Sequence, residues 1–252
     1  MKPTIDLANL KSEIVARRGY WHPFHEGLLN LSPEFLAAYL EFQSAPWRSG
    51  HLKAKVREFI YIAVDGAIAH LYESGARRHI EQAIKLGATK EEILQVILLA
   101  TSEAAHQTHT VTMPILIDEL KLIGEDVADL DSGERRIKER FLSAIGTWPD
   151  GADALMKIAP NFIESFLSYR SIAWTAGTLD PKVREFIGLA VCASPAMLAE
   201  KGIREHIRRA LQLHATKEEI SEVLQLASAI SIHTCTVCIP ALSDTLKNNK
   251  ST

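Results

Sequence analysis

The sequence has few cysteines, no long apolar run and no excess of either charge, and each absence excludes a class of protein. Three cysteines among 252 residues do not form a disulfide framework, so a reducing, cytoplasmic location is expected. No uninterrupted stretch of about 18 apolar residues occurs, which predicts that the chain does not span a membrane. The net charge of -3 argues against nucleic-acid binding, because such proteins usually present a basic surface.

What the sequence does contain is an internal duplication. The segment Lys55–Ile60 recurs as Lys182–Ile187, and Ala88–Ile93 recurs as Ala215–Ile220, both 127 positions later. The same separation relates further pairs of identical residues: Trp47 and Trp174, Gly75 and Gly202, His79 and His206, and His106 and His233. Repetition of one long segment indicates an ancestral unit copied once, rather than a solenoid of many short repeats. The sequence therefore predicts two units, residues 1–125 and 126–252.

Apolar residues in each copy recur with the period of an α-helix. Val56, Phe59, Ile60, Ala63 and Val64 lie on one helical face, and the second copy repeats the pattern. Strand-like alternation is scarce, since its best candidate is more simply the end of an apolar helix. An all-α fold follows from this pattern.

Helix start and stop signals support the same fold. Thr89 precedes Glu92 at the spacing of a capping box, and Asp180 with the following proline is a typical helix start. Gly87 is expected to end the helix that begins near Gly75. The polar stretch 124–136 is expected to be the exposed connection between the two units.

Order and spacing of these motifs resemble the carboxymuconolactone decarboxylase family, whose helical fold is shared with alkyl hydroperoxidase D. That family has an Arg-Glu pair on a helix, then a His, a Gly eight residues later and a Thr-x-Glu-Glu-Ile segment. The first copy has these residues as Arg57-Glu58, His79, Gly87 and Thr89–Ile93. The resemblance implies a tandem duplication of an alkyl hydroperoxidase D-like helical unit.

The chain departs from the peroxidase branch of that fold. The branch requires a Cys-x-x-Cys just before the His, because a reactive thiolate attacks the peroxide and a second thiol resolves it. Tyr72 and Gly75 occupy the corresponding positions in the first copy, and Ala199 and Gly202 in the second. Peroxidase activity of that type is therefore not expected.

The decarboxylase branch lacks these cysteines, and the resemblance implies a carbon–carbon lyase that needs no cofactor. Its substrate would be a small carboxylated lactone or a related product of aromatic breakdown, and the protein would form a homo-oligomer. His suits the protonation step because its ordinary pKa is near neutrality, and Arg suits carboxylate binding because it donates two parallel hydrogen bonds. The predicted catalytic residues are His79, His70 and His106. The predicted substrate-binding residues are Arg57, Glu58, Tyr72, Arg77 and His109.

Several alternatives remain open from the sequence. The imidazoles of the first copy are numerous enough for a metal-dependent hydrolase or a small-molecule-binding protein, although no tight metal motif is present. Arg57 and Glu58 also fit a purely structural ion pair, and the whole chain fits a non-catalytic helical oligomer. Cys235 and Cys238 form a Cys-x-x-Cys that indicates either a redox pair or two small packed thiols.

Overall fold

The computed structural model describes residues 5–175 and 177–249, and in this part of the chain it confirms the all-α prediction. Thirteen α-helices, one 3-10 turn and no strand occur there. The helices are α1 Leu7–Arg18, α2 Pro23–Leu31, α3 Pro33–Ser49, α4 Ala54–Gly66, α5 Glu73–Lys85, α6 Lys90–Leu122, α7 Ser132–Ile145, α8 Ala152–Ile158, α9 Pro160–Thr175, α10 Pro181–Ala193, α11 Glu200–Gln212, α12 Lys217–Ala229 and α13 His233–Asn248, with the 3-10 turn at Ile230–Ile232.

The predicted helix signals act as expected. The backbone N of Glu92 donates to Thr89 Oγ1 at 3.1 Å, and the backbone N of Thr89 donates to Glu92 Oε2 at 2.9 Å. Asp180 Oδ1 accepts from a backbone N in the first turn of α10 at 2.8 Å. Gly87 follows α5 with a φ of +80°, the left-handed conformation that ends many helices.

The predicted connection 124–136 is shorter than expected. It ends at Asp131, because α7 begins with the next residue. Asp131 Oδ1 accepts from the backbone N of Glu134 at 2.9 Å, and Glu134 Oε2 accepts from the backbone N of Asp131 at 2.7 Å. This capping box was present in the sequence and converts the second half of the polar stretch into a helix.

The helices divide into two compact units. One unit consists of the residues up to His51 together with those from Ser228 onward. In it, α2 packs against α3 and α13, and α1 packs against α3. Its buried core includes Leu10, Ile14, Phe24 and Leu36.

The other unit, Leu52–Ala227, contains helices of both sequence copies. In each copy two helices form a hairpin, α4 with α5 and α10 with α11, and α4 also packs against α10. The long helix α6 of the first copy packs against α8, α9 and α10 of the second. The side chains of α6 therefore contribute to the surroundings of the second hairpin.

The two copies differ in their last long helix. In the first copy α6 continues without a break, whereas its counterpart is divided into α12, the 3-10 turn and α13. The turn lies next to the place where the copies lose one residue in register, since Pro114 matches Pro240 at a separation of 126. A 3-10 segment turns the chain more per residue than an α-helix, so it takes up part of the rotation that the missing residue causes.

The same stretch bears on the expectation of no membrane span. Lys217–Asn248 has a mean hydropathy of 1.5 in its most apolar window, 28% of which is buried, so by length and composition alone it is able to cross a membrane. A search for uninterrupted apolar residues misses it because Ser228, Ser231 and His233 interrupt the run. A core helix of a globular protein meets the same criterion.

Candidate active site

Buried polar side chains of α4 meet the turn that follows it. Glu58, Tyr61 and Asp65 are three and four positions apart, so they share one face of the helix. Leu71, with a φ of +49°, reverses the chain, and the backbone N of Tyr72 then donates to the backbone O of Asp65 at 2.7 Å. We call the following residues of this region the first cluster: Glu58, Tyr61, Asp65, His70, Tyr72 and His79.

His79 of α5 joins the two carboxyl groups of α4. Its Nδ1 lies 2.7 Å from Glu58 Oε2, and its Nε2 lies 3.9 Å from Asp65 Oδ2. Tyr61 stacks on the imidazole, with ring centroids 4.5 Å apart. A carboxylate on Nδ1 favours the tautomer that carries its proton there, so Nε2 is the nitrogen left to exchange a proton.

Asp65 also connects His79 to a more exposed imidazole. His70 Nε2 lies 3.9 Å from Asp65 Oδ1, and the His70 side chain is 22% exposed whereas that of Asp65 is fully buried. Burial raises the pKa of Asp65 to about 7, and the charge of Arg78 opposes this shift. Burial lowers the pKa of His70. Asp65 is therefore able to take up or release a proton near neutral pH.

Gly75 makes this close arrangement possible. A Cβ at this position would lie 2.1 Å from Asp65 Oδ2 and 2.4 Å from Tyr72 Cδ1. Any larger residue would push the carboxyl group or the tyrosine ring away from α5. The glycine common to both copies therefore has a steric role in the first cluster.

The second hairpin keeps the glutamate–histidine pair and changes its surroundings. His206 Nδ1 lies 2.9 Å from Glu185 Oε2, as His79 does from Glu58. Asp65, however, is replaced by Cys192. We call the following residues the second cluster: Glu103, His106, Gln107, Arg170, Glu185, Cys192, Glu205, His206 and Arg209.

In the second cluster a buried carboxylate from α6 contacts the histidine. Glu103 Oε1 lies 3.2 Å from His206 Nε2 and accepts from Gln107 Nε2 at 2.7 Å. Glu103 Oε2 accepts from Arg170 Nη1 at 3.1 Å. The imidazole lies against Gly188, which occupies the position of Tyr61, so a Cβ there would be 2.3 Å from the ring.

These contacts fix the charges of the second cluster. Burial alone would raise the pKa of Glu103, but Arg170 and His206 outweigh burial and hold it well below its ordinary value. Burial likewise opposes the charged form of His206, yet Glu103 holds its pKa well above the ordinary value. Burial and the Glu103 charge raise the pKa of Cys192 to about 11. None of these three groups changes protonation near neutral pH.

Three potential metal ligands come together in this cluster. The nearest ligand atoms of Glu103, Cys192 and His206 all lie within 4.8 Å of one another. Their chemistry suits a metal such as Zn²⁺ in type. The fit is poor, because Arg170 already places a buried positive charge on Glu103 and His206 Nε2 lies 3.2 Å from the same carboxylate. The donor set is better explained as a buried ionic network.

The predicted cationic residues are committed to other partners. Arg57 Nε donates to Glu222 Oε1 at 2.6 Å, and both side chains are almost fully buried. Arg77 lies on the surface, 68% exposed, where it pairs with Glu73 one turn earlier. Arg57 thus occupies the structural ion-pair role that the sequence left open, with a glutamate of α12 rather than with Glu58.

The prediction that His106 belongs to the same catalytic site as His70 and His79 requires correction. His106 belongs to the second cluster, where its Nε2 lies 3.6 Å from Glu205 Oε2. His109 packs edge-on against Phe162 and Phe166, with centroids 5.2 and 5.0 Å away. The reason is the packing of α6 against helices of the second copy. Of the predicted residues, the structure brings together Glu58, His70, Tyr72 and His79.

Both clusters contain residues that were not predicted from the sequence. Asp65 and Tyr61 were not among the predicted site residues, although a charged residue in the apolar run of α4 was a usable signal. Glu103 and Arg170 carried no such signal. They are 67 positions apart in sequence, and only the packing of α6 against α9 joins them.

The Cys-x-x-Cys lies apart from both clusters in sequence, on α13. Cys235 is partly buried and Cys238 is exposed, and both are free thiols. Burial raises the pKa of Cys235, and the neighbouring Cys238 adds to the shift. A raised pKa is the opposite of what a reactive thiolate requires, which argues against a redox role for Cys235. Cys235 packs against the apolar core of its unit, as the interpretation of packed thiols expects, whereas Cys238 does not fit that interpretation because it is exposed.

Comparison with known proteins agrees with the fold. A model of the carboxymuconolactone decarboxylase family matches residues 33–108 and 160–247, one segment in each copy. A 1.70 Å crystal structure from Burkholderia xenovorans LB400, described as a candidate gamma-carboxymuconolactone decarboxylase subunit, is 35% identical to this chain. The match covers 98% of this chain and 100% of that one, with a TM-score of 0.91. No curated protein matches the chain significantly.

Proposed function

Because the chain belongs to the carboxymuconolactone decarboxylase family, we propose that its first cluster catalyses the cofactor-free decarboxylation of a small carboxylated lactone or a related product of aromatic breakdown. The observation that carries this proposal is the series Glu58–His79–Asp65–His70. It links a buried imidazole to a partly exposed one through a carboxyl group whose pKa is about 7. Imidazole and carboxyl groups that titrate near neutrality are suited to proton transfer at neutral pH without a bound cofactor.

The reaction needs one proton for each molecule of carbon dioxide. The bond between the ring carbon and the departing carboxylate breaks, and its electron pair enters the conjugated lactone as a dienolate. Protonated His79 then donates from Nε2 to the carbon, while Glu58 on Nδ1 stabilises the imidazolium before the transfer. Asp65 and His70 return a proton from solvent to His79.

The carboxylate of the substrate also needs a cation. The sequence predicted Arg57 and Arg77 for this role, and the structure pairs them with Glu222 and Glu73. The charge of Arg78 acts on Asp65 and opposes the rise of its pKa. Because this charge reaches the acid of the first cluster, we propose that Arg78 attracts the anionic substrate there.

The second cluster supports an unequal division of roles between the copies. At the position of Asp65 it has a thiol with a pKa of about 11, and at the position of His70 it has Met197. His206 is held between Glu103 and Glu185. A histidine that stays protonated throughout the neutral pH range neither donates nor accepts a proton during turnover. We propose that the second hairpin is structural.

The test is release of carbon dioxide from gamma-carboxymuconolactone by the purified full chain. His79→Gln should reduce kcat by about 100-fold or more, because general acid catalysis contributes at least that factor. Asp65→Asn should reduce kcat about tenfold and flatten its pH profile between pH 6 and 8. Cys192→Ser, the matched change in the second copy, should keep kcat within about twofold of wild type.

A non-catalytic helical oligomer predicts a different result. In that case His79→Gln alters only thermal stability, and no carboxylated lactone loses carbon dioxide faster than in buffer. A Cys192→Ser variant as impaired as Asp65→Asn would also contradict the proposal, because it would place the chemistry in both copies or in neither.

A further inference from the structure

The second copy presents a basic cleft that the proposed reaction does not use. The cleft lies between one face of α11, the residues that follow α7, and α6, and its volume is about 400 Å³. Four cationic side chains of α11 line it: Lys201, Arg204, Arg208 and Arg209. Two carboxylates, Asp150 and Glu205, also reach it, so its formal charge is +2. This size falls in the range of small-molecule sites.

The positive charge of this face is greater in the second copy. Lys201, Arg208 and Arg209 correspond to Ser74, Glu81 and Gln82 on α5, at the separation of 127. Arg204 has a cationic counterpart, Arg77, and Glu205 corresponds to Arg78. The second copy therefore has four cations around the cleft where the first copy has two at the matching positions.

The walls of the cleft contain buried hydroxyl groups with unmet hydrogen-bonding capacity. Thr110 is 4% exposed and Thr147 is 9% exposed, and both line the cleft. Within the described residues neither Oγ1 has a hydrogen-bond partner. A buried hydroxyl that makes no hydrogen bond is unfavourable, so a ligand oxygen that bonds to either threonine would be stabilised by it.

The cations differ in how firmly they are held. Lys201 pairs with Asp150 at 3.0 Å on the surface, where such a pair is weak and readily exchanged. In the described part of the chain, Arg208 makes no ion pair, so its guanidinium is available to a ligand. Arg209 is fixed more deeply, with Nη2 2.9 Å from Glu185 Oε1. The cleft thus combines a fixed guanidinium at its base with adaptable cations at its rim.

From these observations we infer that this basic cleft binds a small multiply charged anion, either a polycarboxylate or a phosphate-bearing metabolite. Guanidinium groups pair with both through two parallel hydrogen bonds, and the threonine hydroxyls donate to either. The site is distinct from the first cluster, so its occupancy does not depend on the proposed lyase activity.

Isothermal titration calorimetry of the full chain at low ionic strength tests the inference, with citrate and pyrophosphate as separate probes. We expect saturable binding of at least one probe, and the tighter probe identifies the anion class. Affinity should fall with added salt, because the rim cations are exposed. Lys201→Ala combined with Arg208→Ala should raise the Kd at least about tenfold, and Thr147→Val should raise it about threefold.

Lys217→Ala provides the matched control, because Lys217 is 89% exposed and lies outside the cleft. It should leave the Kd unchanged. All substituted residues except Thr147 are exposed, so loss of folding does not explain their effects. The inference is overturned if neither probe binds saturably to wild type, if the double variant binds like wild type, or if the control weakens binding as much as the double variant.

Discussion

Replacement of Asp65 by asparagine should stabilise the protein at neutral pH while it impairs turnover. Asparagine has nearly the shape of a protonated aspartic acid and cannot ionise. In the folded protein the Asp65 carboxyl is fully buried, and burial raises its pKa to about 7, although Arg78 opposes the shift. In the unfolded chain the same group ionises near pH 3.8. Ionisation therefore favours the unfolded chain between these two pH values.

The size of the effect follows from the two pKa values. One pKa unit corresponds to about 1.4 kcal/mol, so a rise from 3.8 to about 7 destabilises the wild type by up to about 4 kcal/mol above pH 7. Below pH 3.8 the carboxyl is protonated in both states, and the penalty disappears. The stability of the wild type relative to Asp65→Asn should therefore fall as the pH rises from about 4 to 7, and then stay constant.

Urea unfolding followed by circular dichroism at pH 4, 5.5, 7 and 8, at one ionic strength, measures this difference. Asp65→Asn should gain stability over wild type steadily across the interval. Cys192→Ser should show no comparable pH-dependent gain, because the Cys192 thiol is protonated at all four pH values. An equal difference between Asp65→Asn and wild type at pH 4 and pH 8 would refute the assignment of Asp65 as a buried group that titrates near neutrality.

Three further predictions concern the rest of the chain. Glu103→Gln should cost about 3–5 kcal/mol at pH 7 in urea unfolding, because it leaves the buried Arg170 charge without its carboxylate and removes the group that keeps His206 charged. Since the folded pKa of Glu103 lies well below 4.5, this contribution should begin to decline only as the pH falls below about 4.5. A variant as stable as wild type at pH 7 would exclude an ionic network. His214→Gly should raise the stability by roughly 1 kcal/mol, since His214 has a φ of +60° where the first copy has Gly87, and a loss of stability would contradict this. Metal analysis of the purified protein should find less than about one-tenth of an equivalent, with activity unchanged by chelators; a full equivalent that is required for activity would favour a metal-dependent hydrolase.

Local signals were enough to predict most of the fold. The capping box of Thr89 and the proline start of α10 depend on residues within one helical turn, so their spacing reports the structure directly. The duplication repeated some of these signals, since Thr216 and Glu219 form the same capping box in the second copy. The break before α13 was not predicted, because one missing residue in a repeat does not show whether a helix bends, unwinds or tightens. The two compact units were not predicted either, because they depend on packing between segments that are distant in sequence.

The candidate site was only partly predictable. Glu58 and His79 were found because they belong to a motif with fixed order. Tyr72 was found because it occupies a cysteine position of the peroxidase branch, and His70 because an imidazole suits the protonation step. His106 was assigned to the wrong cluster, since nothing local shows that α6 packs beside the second hairpin. Asp65 was missed because a single acid within an apolar helix resembles a tolerated core residue until its neighbours are known.

The two hairpins differ in the surroundings of the histidine that we propose to be catalytic and of the one that we propose to be structural. Both copies keep a glutamate on Nδ1, so this contact alone does not distinguish them. The difference lies at Nε2. His79 faces a carboxyl with a pKa of about 7, whereas His206 faces a carboxylate that Arg170 and other donors hold ionised. The substitution Cys192→Asp would therefore add one more buried acid beside the ion pair of Glu103 and His206. It would not by itself create a second proton-transfer site.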